Sequence, residues 1–139
     1  MVLLRDLFFL QVVRWVLAYN FSLCNFTEIS NIYSEVIYHD LAEYLNGSLF
    51  DQYESCDNST DCLMKIEHLT LNPVPGCPSL PWETFAFNTK ATLLSQCPGY
   101  SETQRNSTQE MKHEVKDICL NQTSQIRLLW SSLIHAIEH

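Results

Sequence analysis

Apolar side chains recur every three or four residues between residues 27 and 45, which is the spacing of an amphipathic α-helix. They are Ile29, Ile32, Tyr33, Val36, Ile37, Leu41, Tyr44 and Leu45. Thr27 can cap the start of this segment, and Asn46-Gly47 supplies a left-handed stop. The pattern therefore predicts a long first helix over residues 27–45.

Two shorter helical patterns follow a long polar connection over residues 48–60. The second helix is predicted over residues 62–71, and Asn72 ends it because a residue before proline avoids the helical region. Its inward side chains are Leu63, Ile66 and Leu69, with Met64 as a further candidate. The third helix is predicted from about Pro81 to Gln96. Its apolar positions are Trp82, Phe85, Ala86, Ala91, Leu93 and Leu94.

A last helix is predicted to begin near Ser107, where Ser107 and Glu110 form a capping-box pattern. Its predicted inward face is Met111, Val115, Ile118, Gln122, Ile126, Leu129, Trp130, Leu133 and Ile137. No segment alternates with period two, and only 3 glycines occur, so a turn-rich β fold is disfavoured. The fold class is therefore all-α.

The long connections between these helices favour an up-up-down-down four-helix bundle, because crossovers between parallel helices need length. In this topology Cys24 and Cys97 lie at the same pole. Cys56 and Cys62 can close a local loop, and Cys77 reaches Cys119 only if the last helix starts later than its capping box indicates. This set is the most economical, although sequence alone does not select one pairing of six cysteines.

The N-terminus has the features of a cleavable signal peptide. An apolar stretch from Leu7 to Leu17 is too short and too interrupted to span a bilayer, and Val16-Leu17-Ala18 resembles a cleavage site. We therefore expect residues 1–18 to be a signal peptide and residues 19–139 to form one secreted domain.

Two further features indicate an extracellular protein. The chain has 6 cysteines, an even number, and lacks the paired spacing of a zinc site, so disulfides are favoured over metal. Six asparagines precede Ser or Thr by two positions and are predicted N-glycosylation acceptors. They are Asn20, Asn25, Asn46, Asn58, Asn106 and Asn121.

The charge and the missing motifs exclude several function classes. A net charge of −8 disfavours binding to nucleic acid or to anionic lipid surfaces. His39-Asp40 are adjacent helical residues that point apart, and His135 with His139 lacks a third metal ligand. No nucleophile elbow, P-loop or dinucleotide motif occurs. We therefore expect no catalytic residue, no metal and no cofactor, and we expect the function to depend on a binding surface.

Two aromatic residues are candidates for that surface. Tyr38 lies away from the apolar stripe of the first helix, and tyrosine is a frequent interface anchor. It can equally pack along its own helix. Trp130 falls at the edge of the last helix's stripe, so the pattern leaves it between core and interface.

The chain resembles the thymic stromal lymphopoietin family of short-chain cytokines, and its rodent members most. The resemblance includes all six cysteines and rests on four segments. These are Tyr19-Asn20-Phe21-Ser22 leading to Cys24, Leu71-Asn72-Pro73 before Gly76-Cys77, Cys97-Pro98-Gly99-Tyr100-Ser101-Glu102-Thr103, and Cys119-Leu120-Asn121-Gln122 continuing through Ser124-Gln125 to Leu129-Trp130.

The resemblance implies disulfides Cys24–Cys97, Cys56–Cys62 and Cys77–Cys119. It also implies a secreted monomer that brings together a specific lymphopoietin receptor and the interleukin-7 receptor α chain to activate JAK/STAT signalling in immune cells. In such cytokines the face formed by the first and last helices and the face formed by the first and third helices engage different receptors. We expect one face to include Glu35, Tyr38, Trp130, Ser131 and Ile134, and the other to include His39, Phe87 and Lys90.

A secreted saposin-like lipid-binding protein is the alternative from a different class, since it is also acidic, helical and built on three disulfides. Its paired cysteines at helix ends have a different spacing from those of this chain. A secreted hydrolase is a third hypothesis, for which no catalytic motif is present.

Overall fold

The computed structural model describes residues 19–48, 55–72, 75–101 and 114–138. Outside these residues lie the predicted signal peptide, residues 49–54 of the first connection, the capping box of Ser107 and Glu110, and Met111 of the predicted inward face. Four long helices are present. Helix α1 has three consecutive segments, Phe26–Ile32, Tyr33–Ile37 and Tyr38–Leu45, and it is followed by α2 (Ser59–Leu71), α3 (Thr84–Gln96) and α4 (Lys116–Glu138).

Helix α1 contains one π-helical turn, Tyr33–Ile37, between its two α-helical segments. A π turn takes up extra residues and so rotates the following side chains relative to a regular helix. Ile37 is therefore buried while Val36 is exposed, and the prediction that Val36 faces the core is wrong. The cap is Asn25 rather than Thr27, since the Asn25 side chain accepts a hydrogen bond from the Glu28 amide at 3.1 Å.

Helices α2 and α3 differ from the predicted boundaries at their starts. Helix α2 begins three residues early because the Asn58 side chain caps it by accepting from the Asp61 amide at 2.9 Å. Before α3 the chain makes a short 3-10 turn, Leu80–Trp82, which buries Leu80 and leaves Trp82 exposed. Four residues that were predicted to face inward are exposed in the structure: Met64, Trp82, Ala91 and Leu94.

Helix α4 begins at Lys116, later than the predicted start near Ser107. The amide of Val115 donates to the carbonyl of Gly76 at 2.8 Å, so the chain just before α4 is tied to the loop before α3. This late start removes the difficulty with Cys77 and Cys119, because Cys119 lies in the first turn of α4. Val115 and Ile118, predicted to face the core, are exposed near this junction.

Three disulfides fix the bundle, and they have the pairing that the family resemblance implies: Cys24–Cys97, Cys56–Cys62 and Cys77–Cys119. The first joins the start of α1 to the end of α3, so these helices are antiparallel. Gln122 near the start of α4 donates to the Leu69 carbonyl near the end of α2 at 3.3 Å, so this pair is antiparallel too. The 3-10 turn Phe21–Leu23 contacts α2, which completes an up-up-down-down bundle.

The core is formed by apolar side chains from all four helices. Trp130 and Phe85 are its largest fully buried members, surrounded by Ile29, Ile37, Leu41, Leu63, Ile66, Leu71, Leu80, Leu93, Ile126 and Leu129. Burial of this continuous apolar surface is the dominant stabilising contribution in a domain of this size. The exposed side chains of α1, α3 and α4 do not belong to this core.

Candidate functional site

Trp130 of α4 belongs to the core, where α4 packs against α1. It has 0% exposure, and its indole stacks on the Tyr33 ring with centroids 4.7 Å apart and planes inclined by 12°. A fully buried side chain cannot touch a partner on the outside of the folded protein. The expectation that Trp130 is a receptor contact is therefore wrong, and its role is to support the residues above it.

Tyr33 connects this buried stack to the exposed surface. Burial raises the pKa of the Tyr33 phenol, an effect that the nearby Ser131 side chain partly offsets. The ring of Tyr38 lies edge-on to Tyr33 at 6.0 Å and is itself 48% exposed. The π turn thus places the ring of Tyr38 directly beside the buried stack of Tyr33 and Trp130.

The other residues predicted for this face lie where a partner can reach them. Glu35 and Ser131 are exposed, and Ile134 is half-buried where it packs against the core. Together with Tyr38 they define what we call the α1/α4 surface: Glu35, Tyr38, Ser131 and Ile134. An aromatic anchor surrounded by polar side chains is typical of a protein-binding surface.

A second surface lies on α3, with Phe87 at its centre. Phe87 is 49% exposed, and its ring contacts that of Trp82 edge-on at 6.2 Å, with Trp82 63% exposed. Lys90 is half-buried one turn further along α3. We call Trp82, Phe87 and Lys90 the α3 surface. Sequence reasoning did not identify Trp82 as a surface residue. Its position directly after Pro81, before the regular apolar stripe of α3 begins, was a signal that it lies outside this stripe.

His39 was predicted to act with Phe87 and Lys90, but its ring contacts Tyr38 instead, edge-on at 5.5 Å. The structure therefore joins His39 to the α1/α4 surface along the outer side of α1. Asp40, the next residue, accepts a hydrogen bond from the Asn88 side chain of α3 at 2.5 Å. This bond holds α1 and α3 together between the two surfaces.

An acidic cleft of about 220 Å³ lies between the end of α1 and the start of α3. Asp40, Glu43 and Glu83 line it beside Tyr44. Burial, reinforced by the charge of Glu114, raises the pKa of the Glu83 carboxyl. Burial also raises the pKa of Tyr44. The cleft is lined by three carboxylates, two aromatic rings and one threonine.

One group of potential metal ligands occurs in the described ranges, formed by Cys77, Glu114 and Cys119. Both sulfurs belong to one disulfide. Because metal ions bind thiolates, an oxidised pair does not provide such a site. In the same ranges no helix is long and apolar enough to cross a bilayer.

The predicted glycosylation acceptors occupy different environments. The side chains of Asn20, Asn25 and Asn58 cap helical segments through their carbonyl oxygens. Asn46 adopts the left-handed conformation that ends α1. Asn121 is half-buried in α4 with its side-chain oxygen enclosed. Asn106 lies outside the described residues.

The architecture is that of a short-chain four-helix cytokine. The family model for thymic stromal lymphopoietin matches residues 19–135. The chain is also 59% identical over 140 residues to thymic stromal lymphopoietin from Mus musculus, an alignment that covers 99% of this chain and 100% of that protein. The chain therefore belongs to the thymic stromal lymphopoietin family.

Solved structures agree with this assignment. Chains in two crystal forms described as a cytokine receptor complex superpose with a TM-score of 0.74 and 50% sequence identity, covering 85% of this chain and 98% of the matched chain. The predicted fold class and the cytokine function are thereby confirmed. The saposin-like alternative finds no support in these comparisons.

Proposed function

We propose that this cytokine is secreted after removal of residues 1–18 and signals by holding two receptor chains together. The two chains are a specific lymphopoietin receptor and the interleukin-7 receptor α chain, whose approach activates JAK/STAT signalling in immune cells. The protein acts through binding and performs no catalysis. The observation that carries the proposal is the presence of two separate aromatic surfaces on one rigid bundle.

Rigidity supports this mechanism because a bridging ligand must present both surfaces in a fixed relative orientation. The Cys24–Cys97 bond and the Asp40–Asn88 hydrogen bond both join α1 to α3. The Tyr33–Trp130 stack joins α1 to α4. Pre-organised surfaces bind with a smaller loss of conformational freedom, so more of the contact energy contributes to affinity.

Each surface offers an anchor of the kind that dominates protein interfaces. Tyr38 is a half-exposed tyrosine set on a buried aromatic stack, and Phe87 with Trp82 forms an exposed aromatic pair. Such anchors contribute about 2 kcal/mol or more when they are central to an interface. The net charge of −8 favours receptor surfaces that are basic, since opposite charges accelerate association.

Binding to each receptor ectodomain, measured separately, tests the assignment of the surfaces. We expect Tyr38→Ala to weaken binding to one receptor and Phe87→Ala to weaken binding to the other, each by tenfold or more. Met64→Ala removes an equally exposed apolar side chain on α2 and serves as the matched control. If both folded variants bind both receptors with unchanged affinity, the surfaces are wrongly assigned.

A further inference from the structure

A second open groove, of about 450 Å³, separates the N-terminal 3-10 turn from the first turns of α2. Asn20 lines one side and Asn58 the other, with Tyr19 and Met64 among the remaining walls. Both asparagines lie two positions before Ser22 or Thr60 and are exposed. Two predicted glycan acceptors therefore share one groove, although 38 positions separate them in the sequence.

The side-chain geometry of both asparagines is compatible with a glycan. Asn20 Oδ1 accepts from the amide and hydroxyl of Ser22 at 3.1 and 2.6 Å, and Asn58 Oδ1 accepts from the Asp61 amide at 2.9 Å. Each cap uses only the oxygen. Neither Nδ2 makes a hydrogen bond to the described part of the chain, and Nδ2 is the atom to which a sugar is attached.

The floor of the groove is held in place on both sides. Cys56–Cys62 and the Lys65–Asp61 ion pair at 3.4 Å fix the first turns of α2. On the opposite side the Tyr19 ring packs edge-on against Phe21 and Tyr100, at 5.0 and 5.4 Å. A groove with fixed walls can hold a bulky substituent in one place. Met64, 48% exposed, adds an apolar wall that the protein itself leaves open.

We propose that Asn20 and Asn58 both carry N-linked glycans and that the inner sugars of these glycans fill this groove and cover Met64. Attachment uses a lipid-linked oligosaccharide diphosphate of the secretory pathway. The C1–Nδ2 bond forms, the C1–O bond to the lipid diphosphate breaks, and Nδ2 loses one proton. The Oδ1 acceptor is retained, so both helix caps survive the modification.

This inference rests on the proposed secretion, and it has a consequence for signalling. The groove is at the pole where α2 begins, formed by residues that belong to neither the α1/α4 surface nor the α3 surface. Glycans at this position would close the α2 side of the bundle to proteins. The two aromatic surfaces would remain available to receptors.

Site occupancy and the oxidation rate of Met64 together test the proposal. The full chain is secreted from mammalian cells, and glycan occupancy at Asn20 and Asn58 is measured by mass spectrometry. Dilute hydrogen peroxide then oxidises Met64 to the sulfoxide at a rate that reports its exposure.

Two comparisons separate the effect of the glycans on Met64 oxidation from any effect of a substitution on the fold. The Ser22→Ala/Thr60→Ala variant removes both acceptor motifs while retaining the capping asparagines, and Thr27→Ala removes the Asn25 motif as the matched control. Enzymatic removal of glycans from the folded wild-type protein gives the same comparison without any substitution. The enzymatic treatment converts each glycosylated asparagine to aspartate, which retains the side-chain oxygen that caps the helix.

We expect both sites to be occupied, and Met64 to oxidise severalfold faster after loss of both glycans but at the wild-type rate in Thr27→Ala. Absence of a glycan from either asparagine would overturn the proposal. An unchanged Met64 rate after deglycosylation would overturn it as well. Secretion with Asn20 and Asn58 unoccupied would leave the receptor-bridging function intact, so failure of the two proposals is distinguishable.

Discussion

The ring of Tyr33 on α1 stacks on the indole of Trp130 on α4, 4.7 Å between centroids, directly beneath the exposed ring of Tyr38. Tyr33 and Trp130 belong to the core, whereas Tyr38 lies at the surface. Substitutions at Trp130 and Tyr38 should therefore separate stability from binding, although both residues contribute to the same part of the bundle.

Trp130→Ala should lower the free energy of unfolding by about 3–5 kcal/mol, because it removes a large, fully buried aromatic side chain. Tyr38→Ala removes a half-exposed ring and should change stability by less than about 1 kcal/mol. Denaturant unfolding followed by circular dichroism measures both values. Equal losses in the two variants would contradict the division between core and surface.

The Cys77–Cys119 disulfide should stabilise the fold more than Cys56–Cys62. The sequence separations are 42 and 6 residues, and closing the longer loop removes more entropy from the unfolded chain. The chain-entropy model gives about 4 kcal/mol for the first bond and about 2 kcal/mol for the second. Unfolding of Cys77→Ala/Cys119→Ala and of Cys56→Ala/Cys62→Ala tests this order, which the reverse ranking would disprove.

Gly76 should tolerate no side chain. Its φ of +91° is left-handed, and an added Cβ would lie 2.5 Å from Cδ1 of Ile118. Gly76→Ala should therefore destabilise by about 2–4 kcal/mol through strain and overpacking combined. Gly99, with φ +79° and nothing within 4 Å of an added Cβ, is the matched control for strain alone.

Gly99→Ala should accordingly cost only about 1–2 kcal/mol. Shortening the clashing side chain in the double variant Gly76→Ala/Ile118→Ala should recover part of the loss relative to Ile118→Ala alone. Thermal unfolding of the four variants measures these differences in stability. Identical effects at the two glycines would show that contact with Ile118 is unimportant.

The stability of the acidic cleft should depend on pH through Glu83. Burial and the nearby charge of Glu114 raise its pKa in the folded protein above the usual 4.5, so the folded state binds this proton more tightly than the unfolded state. The contribution of Glu83 to stability is therefore greatest below pH 4.5 and is lost as the pH rises through the raised pKa.

Glu83→Gln, which mimics the neutral carboxyl, should stabilise the protein at pH 7 relative to wild type, and this advantage should disappear under acidic conditions. Glu35→Gln, at an exposed position of α1, is the matched control. Unfolding curves collected across the acidic range provide the measurement. A Glu83→Gln variant that is less stable than wild type at pH 7 would show that the carboxylate is favourable there.

The periodic apolar pattern predicted the four helices because each helix buries one face against the others, and the long connections predicted their arrangement. It did not predict the π turn of α1. Regular spacing through Tyr33, Val36 and Ile37 is equally compatible with an uninterrupted α-helix, and only packing places Val36 outside. The start of α4 was likewise decided by tertiary contacts, namely the Gly76–Val115 hydrogen bond and the Cys77–Cys119 bond.

For the candidate surfaces, the sequence left both Tyr38 and Trp130 between packing and interface, and Phe87 was a candidate only for a receptor-binding face. Trp130 lies at the edge of the α4 stripe, and its burial depends on Tyr33, a residue of another helix. The contact of His39 with Tyr38 was not predicted, for a related reason. Sequence spacing predicts the side of α1 from which His39 projects, whereas the contact of its ring with Tyr38 depends on side-chain orientation.

The central claim is that one molecule of this cytokine bridges two receptor chains, and the mass of the assembled complex tests it most directly. The secreted protein is mixed with the two receptor ectodomains, separately and together, and analysed by size-exclusion chromatography with light scattering. We predict one complex that contains one copy of each of the three chains, formed only when the cytokine is present. Binding of the second receptor that displaces the first would contradict the account.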